Sequence, residues 1–323
     1  MRAMIVTEYG GPLTLGHLDS PDPGPGQVKI AVSRAGVNFP DLLMTRGHYQ
    51  VRPPLPFAPG FEVAGTLTEV GEGVEHLAVG DRVMAYLFFG GYAEEVVADA
   101  GSVFAVPDEV TDDQAAVTPI AYGTGYHALV DRGALRSGET LVVIGASGGV
   151  GLTAVEIGKL LGARVIGLVG SDWKAEIVYE QGADEVMNYE NEDVRDRVLE
   201  LTDGRGADVI YDPVGGDAAD DALRYIAWRG RFLVVGFTSG RISEIPANRL
   251  LLRGAAAVGV YWGAFVEHEP AASVAAMGSI LGWIGEGTLR PRVTSSVPLG
   301  GAAKALEALE RREAVGKTVL EVR

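Results

Sequence analysis

The 323-residue chain has no cysteine. That excludes disulfides, thiolate nucleophiles and Cys-ligated zinc or iron–sulfur sites. Bases are scarce: 27 Lys and Arg face 43 Asp and Glu, giving a formal net charge of −16 at pH 7. Nucleic-acid binding needs clustered cations to displace counterions, so no nucleic-acid partner is expected. The acid excess reads as solubility. Long apolar runs are also lacking. The start, Met1-Arg-Ala-Met-Ile-Val-Thr-Glu8, has no leader-like apolar stretch. No uncharged run reaches the ~20 residues of a membrane span. Residues 254–266 are apolar, but short and Gly-rich. A cytoplasmic protein with no membrane partner is the expectation. At 47% hydrophobic and 22% charged residues, the chain is not disordered.

What is present changes character along the chain. From 1 to about 120, short alternating runs (27–33, 63–70, 81–86, 92–97) are cut by Gly and Pro, as in a compact β unit. From about 120 to 262, continuous apolar runs alternate with helical stretches. The predicted strands are 140–144, 164–169, 185–189, 207–211, 231–235 and 255–262. The predicted helices are 149–161, 172–181, 192–202 and 217–227. This alternation predicts a parallel sheet covered on both faces, the doubly wound α/β Rossmann pattern. The last 60 residues return to helix (267–285, 299–312) and short strand (292–297, 318–322). They are too few for a domain of ordinary size, and are expected to pack back onto the first region.

The strongest chemical signal is Gly145-Ala-Ser-Gly-Gly-Val-Gly151, between a predicted strand and a predicted helix. Set against the dinucleotide fingerprint G-x-G-x-x-G/A, Ala146, Gly148 and Gly151 take the three small-residue places. Such a loop makes a tight turn, lets backbone approach a pyrophosphate, and lets the helix pack close to the strand. The helix N-terminus then offers unpaired N–H groups to the phosphates. Ser147, Gly148, Gly149 and Val150 are the candidate contacts. NAD sites usually carry an acid about 20 residues on, for the ribose 2′-hydroxyl. Here the second strand ends in Gly170, followed by Ser171 and Lys174. Loss of an anion and gain of a hydroxyl and an ammonium favours the 2′-phosphate of NADPH, with Asp172 an unfavourable neighbour.

Five segments together resemble the zinc-independent quinone oxidoreductase branch of the medium-chain dehydrogenase/reductase superfamily. They are Ala35-Gly-Val-Asn-Phe-Pro-Asp-Leu-Leu43, Arg46-Gly-His-Tyr49, Pro56-Phe-Ala-Pro-Gly-Phe-Glu-Val-Ala-Gly65, Ala121-Tyr-Gly-Thr-Gly-Tyr-His-Ala-Leu129 and the glycine loop. The resemblance covers essentially the whole chain. It implies a GroES-like β-barrel catalytic domain (1–121 and 263–323) split by a Rossmann domain with a six-stranded parallel sheet (122–262). It further implies a Cys-to-Asn change at 38 and a His-to-Phe change at 61, where zinc alcohol dehydrogenases bind metal. No metal is therefore expected.

Without a strong Lewis acid, reduction of a quinone or enone is the favoured chemistry, because a hydrogen-bond donor can hold the oxygen that takes up charge. The resemblance puts Asn38 beside nicotinamide and acceptor, as a donor to acceptor oxygen or cofactor ribose. Tyr49 is a candidate proton donor or a pocket wall, Asp41 a buttress or pocket residue, and Trp262 a pocket residue. Thr124, Tyr126, Phe237, Ser239 and Val260 are implied at the nicotinamide half. Tyr189 and Arg312 are implied at the 2′-phosphate, with Arg311 and Lys317 as rivals to Arg312. Two alternatives stay open: an NADPH-dependent enoyl-CoA or enone reductase, and a non-catalytic, crystallin-like NADPH-binding protein. A homodimer through the 255–262 edge strand is expected.

Overall fold

The computed structural model describes residues 1–323, which form two units: Met1–Ile120 with Val266–Arg323, and Ala121–Phe265. The second is a six-stranded sheet of Thr140–Ile144, Arg164–Val169, Glu185–Asn188, Ala207–Asp212, Ile226–Val234 and Ala256–Gly259. All its pairings are parallel. Across the sheet the strands run third, second, first, fourth, fifth, sixth. The first strand is wholly buried, which is why it reads as an uninterrupted apolar run. The order reverses between the first and fourth strands. Ligands of such sheets bind outside the C-terminal strand ends at that reversal.

Several element boundaries differ from expectation. The predicted helix at 172–181 is a short 3₁₀ turn, Asp172–Lys174, followed by a helix over Ala175–Glu180. The predicted helix at 217–227 ends at Ala222, and the next strand already starts at Ile226. That strand carries exposed Trp228, and its Arg229 has a φ of +62°. Such an irregular start hides its period. The sixth strand is only Ala256–Gly259, because Trp262 already opens the helix Trp262–His268.

The first unit holds a two-stranded sheet, Arg2–Ile5 with Thr14–His17, and a seven-stranded sheet. The path of the larger sheet is Val293–Pro298, Lys317–Glu321, Gln27–Val37, Glu62–Val70, Arg82–Tyr86, Val103–Ala105. Glu95–Asp99 pairs with Gln27–Val37 beside this path, so the sheet does not close into a barrel ring. The predicted strand at 92–97 is shifted to Glu95–Asp99. Tyr92 is instead fully buried, with its hydroxyl turned into the fold.

Gln27–Val37 is the spine of this unit. Its first half pairs with Glu95–Asp99, its second half with Lys317–Glu321, and nearly its whole length with Glu62–Val70. Two register shifts in the last pairing let one strand serve three partners, as bulges do. Thr318 lies opposite Val37, which sets Lys317 beside Asn38.

Candidate functional site

The glycine loop makes the turn its sequence implies. Gly145 has a φ of +65°, and a Cβ there would fall 2.6 Å from Val214 Cγ2. A Cβ on Gly151 would fall 2.2 Å from Gly145 O, so only glycine lets this helix approach this strand. At Gly148 the nearest atom to an added Cβ is 3.5 Å away, leaving room before the helix Gly149–Leu160. Gly149 and Val150 open that helix, and Ser147 is buried just ahead of it. The donor set and the crowding at Gly151 fit a pyrophosphate against a helix N-terminus.

At the end of the second strand, Gly170 lies against Tyr189: a Cβ there would lie 2.7 Å from the Tyr189 hydroxyl. The structure thus brings Gly170 and Tyr189 together. Ser171 Oγ donates to Gly170 O at 2.6 Å. The Lys174 ammonium sits 5.1 Å from the centroid of the Trp173 ring. Asp172 accepts from Asn188 Nδ2 at 2.6 Å. The unfavourable carboxylate is therefore engaged by an amide of the same unit. Arg312 stands on the other unit, in the turn after Ala302–Glu310, with a φ of +57°.

Beyond the fifth strand, Ser239 Oγ donates to Arg241 O at 3.1 Å. Phe237 and Ser239 lie over two glycines. A Cβ on Gly215 would come 3.0 Å from Phe237 Cδ1, and one on Gly216 would come 3.0 Å from Ser239 Oγ. Sequence reasoning missed what holds this loop. Asp212, fully buried at the end of the fourth strand, accepts from the N–H groups of Val214 and Gly215, both at 2.9 Å. Its second oxygen is buried without a partner. Burial pushes its pKa up to about 6, against the pull of the two backbone donors. The signal was present as Asp212-Pro-Val-Gly-Gly216, a turn directly after an apolar strand.

Val260 is buried, and its N–H donates to Val234 O at 2.9 Å. Trp262 is also buried. Its indole fills the space a Gly123 side chain would need and lies 5.6 Å from the Phe265 ring. Thr124 and Tyr126 are half-buried on the helix Thr118–Tyr126.

In the first unit, Asn38 caps the helix Phe39–Thr45 in extended backbone conformation. Its Nδ2 donates to Glu62 Oε1 at 2.9 Å, and its Oδ1 accepts from Lys317 Nζ at 2.6 Å. Lys317 also donates to Glu62 Oε1 at 2.8 Å and to Val37 O at 3.0 Å. The other oxygen of Glu62 accepts from Ile120 N at 2.8 Å. All three side chains are buried, and Glu62 is wholly so. Lys317 is therefore no rival to Arg312 for a phosphate: its ammonium is spent inside the fold.

Asp41 is equally enclosed. Its Oδ2 accepts from Asn38 N and from the Tyr92 hydroxyl, both at 2.7 Å, while Oδ1 is buried without a partner. Burial raises its pKa to about 7, although Tyr92, the Asn38 N–H and Lys317 all oppose the rise. Tyr49 is half-buried, edge-on to Phe61 with ring centroids 5.1 Å apart. No group of three or more His, Cys, Asp or Glu able to hold a metal ion occurs in the structure.

Residues 24–108 match the family model described as alcohol dehydrogenase GroES-like domain, and residues 149–277 match that of zinc-binding dehydrogenase. A quinone oxidoreductase-like protein 2 homolog from Nematostella vectensis is 39% identical, over 100% of this chain and 89% of its own length. This chain belongs to the quinone oxidoreductase group of the medium-chain dehydrogenase/reductase superfamily.

Two solved structures place that group beside the present fold. A mycobacterial protein complexed with NADPH superposes with a TM-score of 0.93 at 33% identity, covering 100% of both chains. The Escherichia coli quinone oxidoreductase complexed with NADPH gives 0.92 at 28% identity, again over 100% of both. The buried Glu62 carboxylate of this chain is spent on an ammonium and an amide of the same unit.

Proposed function

We propose that the protein is an oxidoreductase that reduces quinones with NADPH. The supporting observation is the pairing of an intact glycine loop with a second strand that ends in Gly170 in place of an acid, followed by Ser171 and Lys174, with the nearby Asp172 engaged by Asn188. The names of the relatives and the NADPH in two neighbouring structures support the same reading. NADPH, when bound, supplies the hydride. Ser147, Gly148, Gly149 and Val150 would hold its pyrophosphate at the helix N-terminus. Ser171, Lys174 and Tyr189 would receive the 2′-phosphate. Thr124, Tyr126, Phe237, Ser239 and Val260 would bound the nicotinamide half. Asn38 would donate to an acceptor oxygen that takes up charge, where a fixed donor is worth most. Tyr49, whose phenol is ordinarily protonated at pH 7, would donate a hydrogen bond or a proton to the same acceptor.

NADPH oxidation by the purified protein tests this, with NADH as control. The acceptors are 1,4-benzoquinone, 9,10-phenanthrenequinone, a simple enone and crotonyl-CoA. NADPH-preferring turnover of a quinone is the expected result. Turnover of the thioester or enone alone would replace the quinone by an activated alkene. Tight NADPH binding with no turnover would leave a nucleotide-binding protein.

We also propose a homodimer through the sixth strand. That strand is paired on one side only, with Ala256, Ala257 and Gly259 exposed. Near it in sequence, Leu251 and Leu252 are exposed on a helix that buries none of its residues. An unpaired edge beside exposed apolar side chains is usually covered, and a two-fold axis would cover it with its own copy. Light scattering should give twice the mass of one chain; the mass of one chain would refute it.

A further inference from the structure

We infer that the buried Glu62–Lys317 pair is a positioning device that makes Asn38 a hydrogen-bond donor only, and so restricts the acceptor to molecules presenting a carbonyl-type oxygen. This rests on the proposal that Asn38 serves the acceptor. An asparagine amide can normally donate at one end or accept at the other, and it can rotate between them. Here both ends are fixed by chemistry. Lysine can only donate, so Oδ1 must face Lys317 Nζ, 2.6 Å away. Ionised glutamate can only accept, so Nδ2 must face Glu62 Oε1, 2.9 Å away. The amide cannot flip without setting acceptor against carboxylate and donor against ammonium.

The remaining capacity of the cluster is also one-sided. Lys317 has three donors and three partners: Val37 O, Asn38 Oδ1 and Glu62 Oε1. Glu62 accepts from Lys317 and Asn38 on one oxygen and from Ile120 N on the other. Asn38 Nδ2 carries two hydrogens. One serves Glu62, and the other has only a 3.5 Å contact with Gly36 O, at the limit of a hydrogen bond. The under-used group is thus an N–H. The ammonium on the far end of the same amide withdraws electron density and strengthens that N–H as a donor. A donor of this kind favours an oxygen gaining negative charge, as a quinone or enone carbonyl does during reduction. It cannot take the proton of an alcohol, so it gives alcohol oxidation no base.

Lys317 and Glu62 stand behind the amide, which makes them positioning residues. The test is a double-mutant cycle on the NADPH-dependent quinone assay. The variants are Asn38→Ala, Lys317→Arg, the charge-neutral double variant Glu62→Gln/Lys317→Met, and the last two combined with Asn38→Ala. Melting temperature is recorded for each. In the Asn38 background, the double variant should lose about tenfold or more in kcat with the NADPH KM within about twofold. Lys317→Arg should retain most of the rate. In the Asn38→Ala background, the same changes should cost almost nothing further, because there is no amide left to orient. Costs that simply add in that background would show a structural pair and overturn the inference. So would an Asn38→Ala variant as fast as the parent. A parent that turns over no carbonyl acceptor would refute the proposed function instead, before any variant is compared. The neutral double variant and Lys317→Arg keep the test decisive if Lys317→Met alone does not fold.

Discussion

The two units solve the burial of polar groups in opposite ways. In the Rossmann unit the important polar contacts are backbone: the glycine loop, its helix N-terminus and the loop held by Asp212. In the GroES-like unit they are side chains. Asn38, Asp41, Glu62, Tyr92 and Lys317 are all buried together, with two carboxylates and one ammonium among them. A site made of backbone is specified by where side chains are absent. A site made of buried charge is specified by each partner's presence. The first should tolerate polar change and fail on added bulk, the second the reverse.

The largest expected effect is Lys317→Met, which leaves Glu62 buried and uncompensated. Loss of one partner from a buried pair costs about 3–5 kcal/mol. Chemical denaturation should show this, with Glu62→Gln/Lys317→Met recovering most of it. A single variant as stable as the parent would erase the contrast between the units.

Next is Gly151→Ala. Its Cβ would meet Gly145 O at 2.2 Å, and both atoms belong to backbone-defined structure. Overpacking of this kind costs about 1–3 kcal/mol, and calorimetry should show NADPH binding lost. Unchanged binding would mean that the loop has slack its geometry denies.

Asp41 sharpens the contrast through pH. Its folded pKa of about 7 lies above the ordinary carboxyl value of about 3.9. Between these values the folded chain holds a proton that the unfolded chain has released, so stability falls as pH rises from about 4 to about 7 and then levels. Asp41→Asn should remove that slope. A parent and variant with parallel stability–pH curves would refute the assignment.

The smallest effect is expected at Trp173, whose exposed ring lies against the buried Lys174. A cation–π contact with its ring open to water is worth about 0.5–1 kcal/mol. Trp173→Ala should therefore raise the NADPH KM only a few-fold and leave the NADH KM alone. An equal rise for both cofactors would point to the turn rather than to the phosphate.

This contrast also explains what was legible in the sequence. The parallel sheet and its glycine loop could be read because their cause is local: apolar runs, helical periods and glycines at fixed offsets. Gly170 was readable as a missing acid. The buried cluster was not, because its members lie at positions 38, 41, 62, 92 and 317, and each alone looks like an ordinary polar residue. Lys317 is the sharpest case. In sequence it sits five residues after a basic pair and invites a phosphate, yet the pairing of the next residue, Thr318, opposite Val37 turns it to Glu62. Asp212 was hidden differently, at the end of an apolar run whose chemistry lies in two backbone N–H groups. Trp262 was misplaced because an apolar run cannot distinguish a strand edge from the first turn of a helix.

The pairing of Lys317–Glu321 with Arg34–Val37 has a consequence for how the molecule is made. A nascent chain emerges in order, and domains generally fold as units during synthesis. The uninterrupted Rossmann unit can complete itself as soon as residue 265 is free. The GroES-like unit cannot, because Glu62 waits roughly 250 residues for the cation that neutralises it. Until residues 317–321 leave the ribosome, its central strand lacks one neighbour and its buried carboxylate lacks a counter-charge. Synthesis therefore delivers the nucleotide-binding half first, and the last strand acts as the latch that finishes the GroES-like unit.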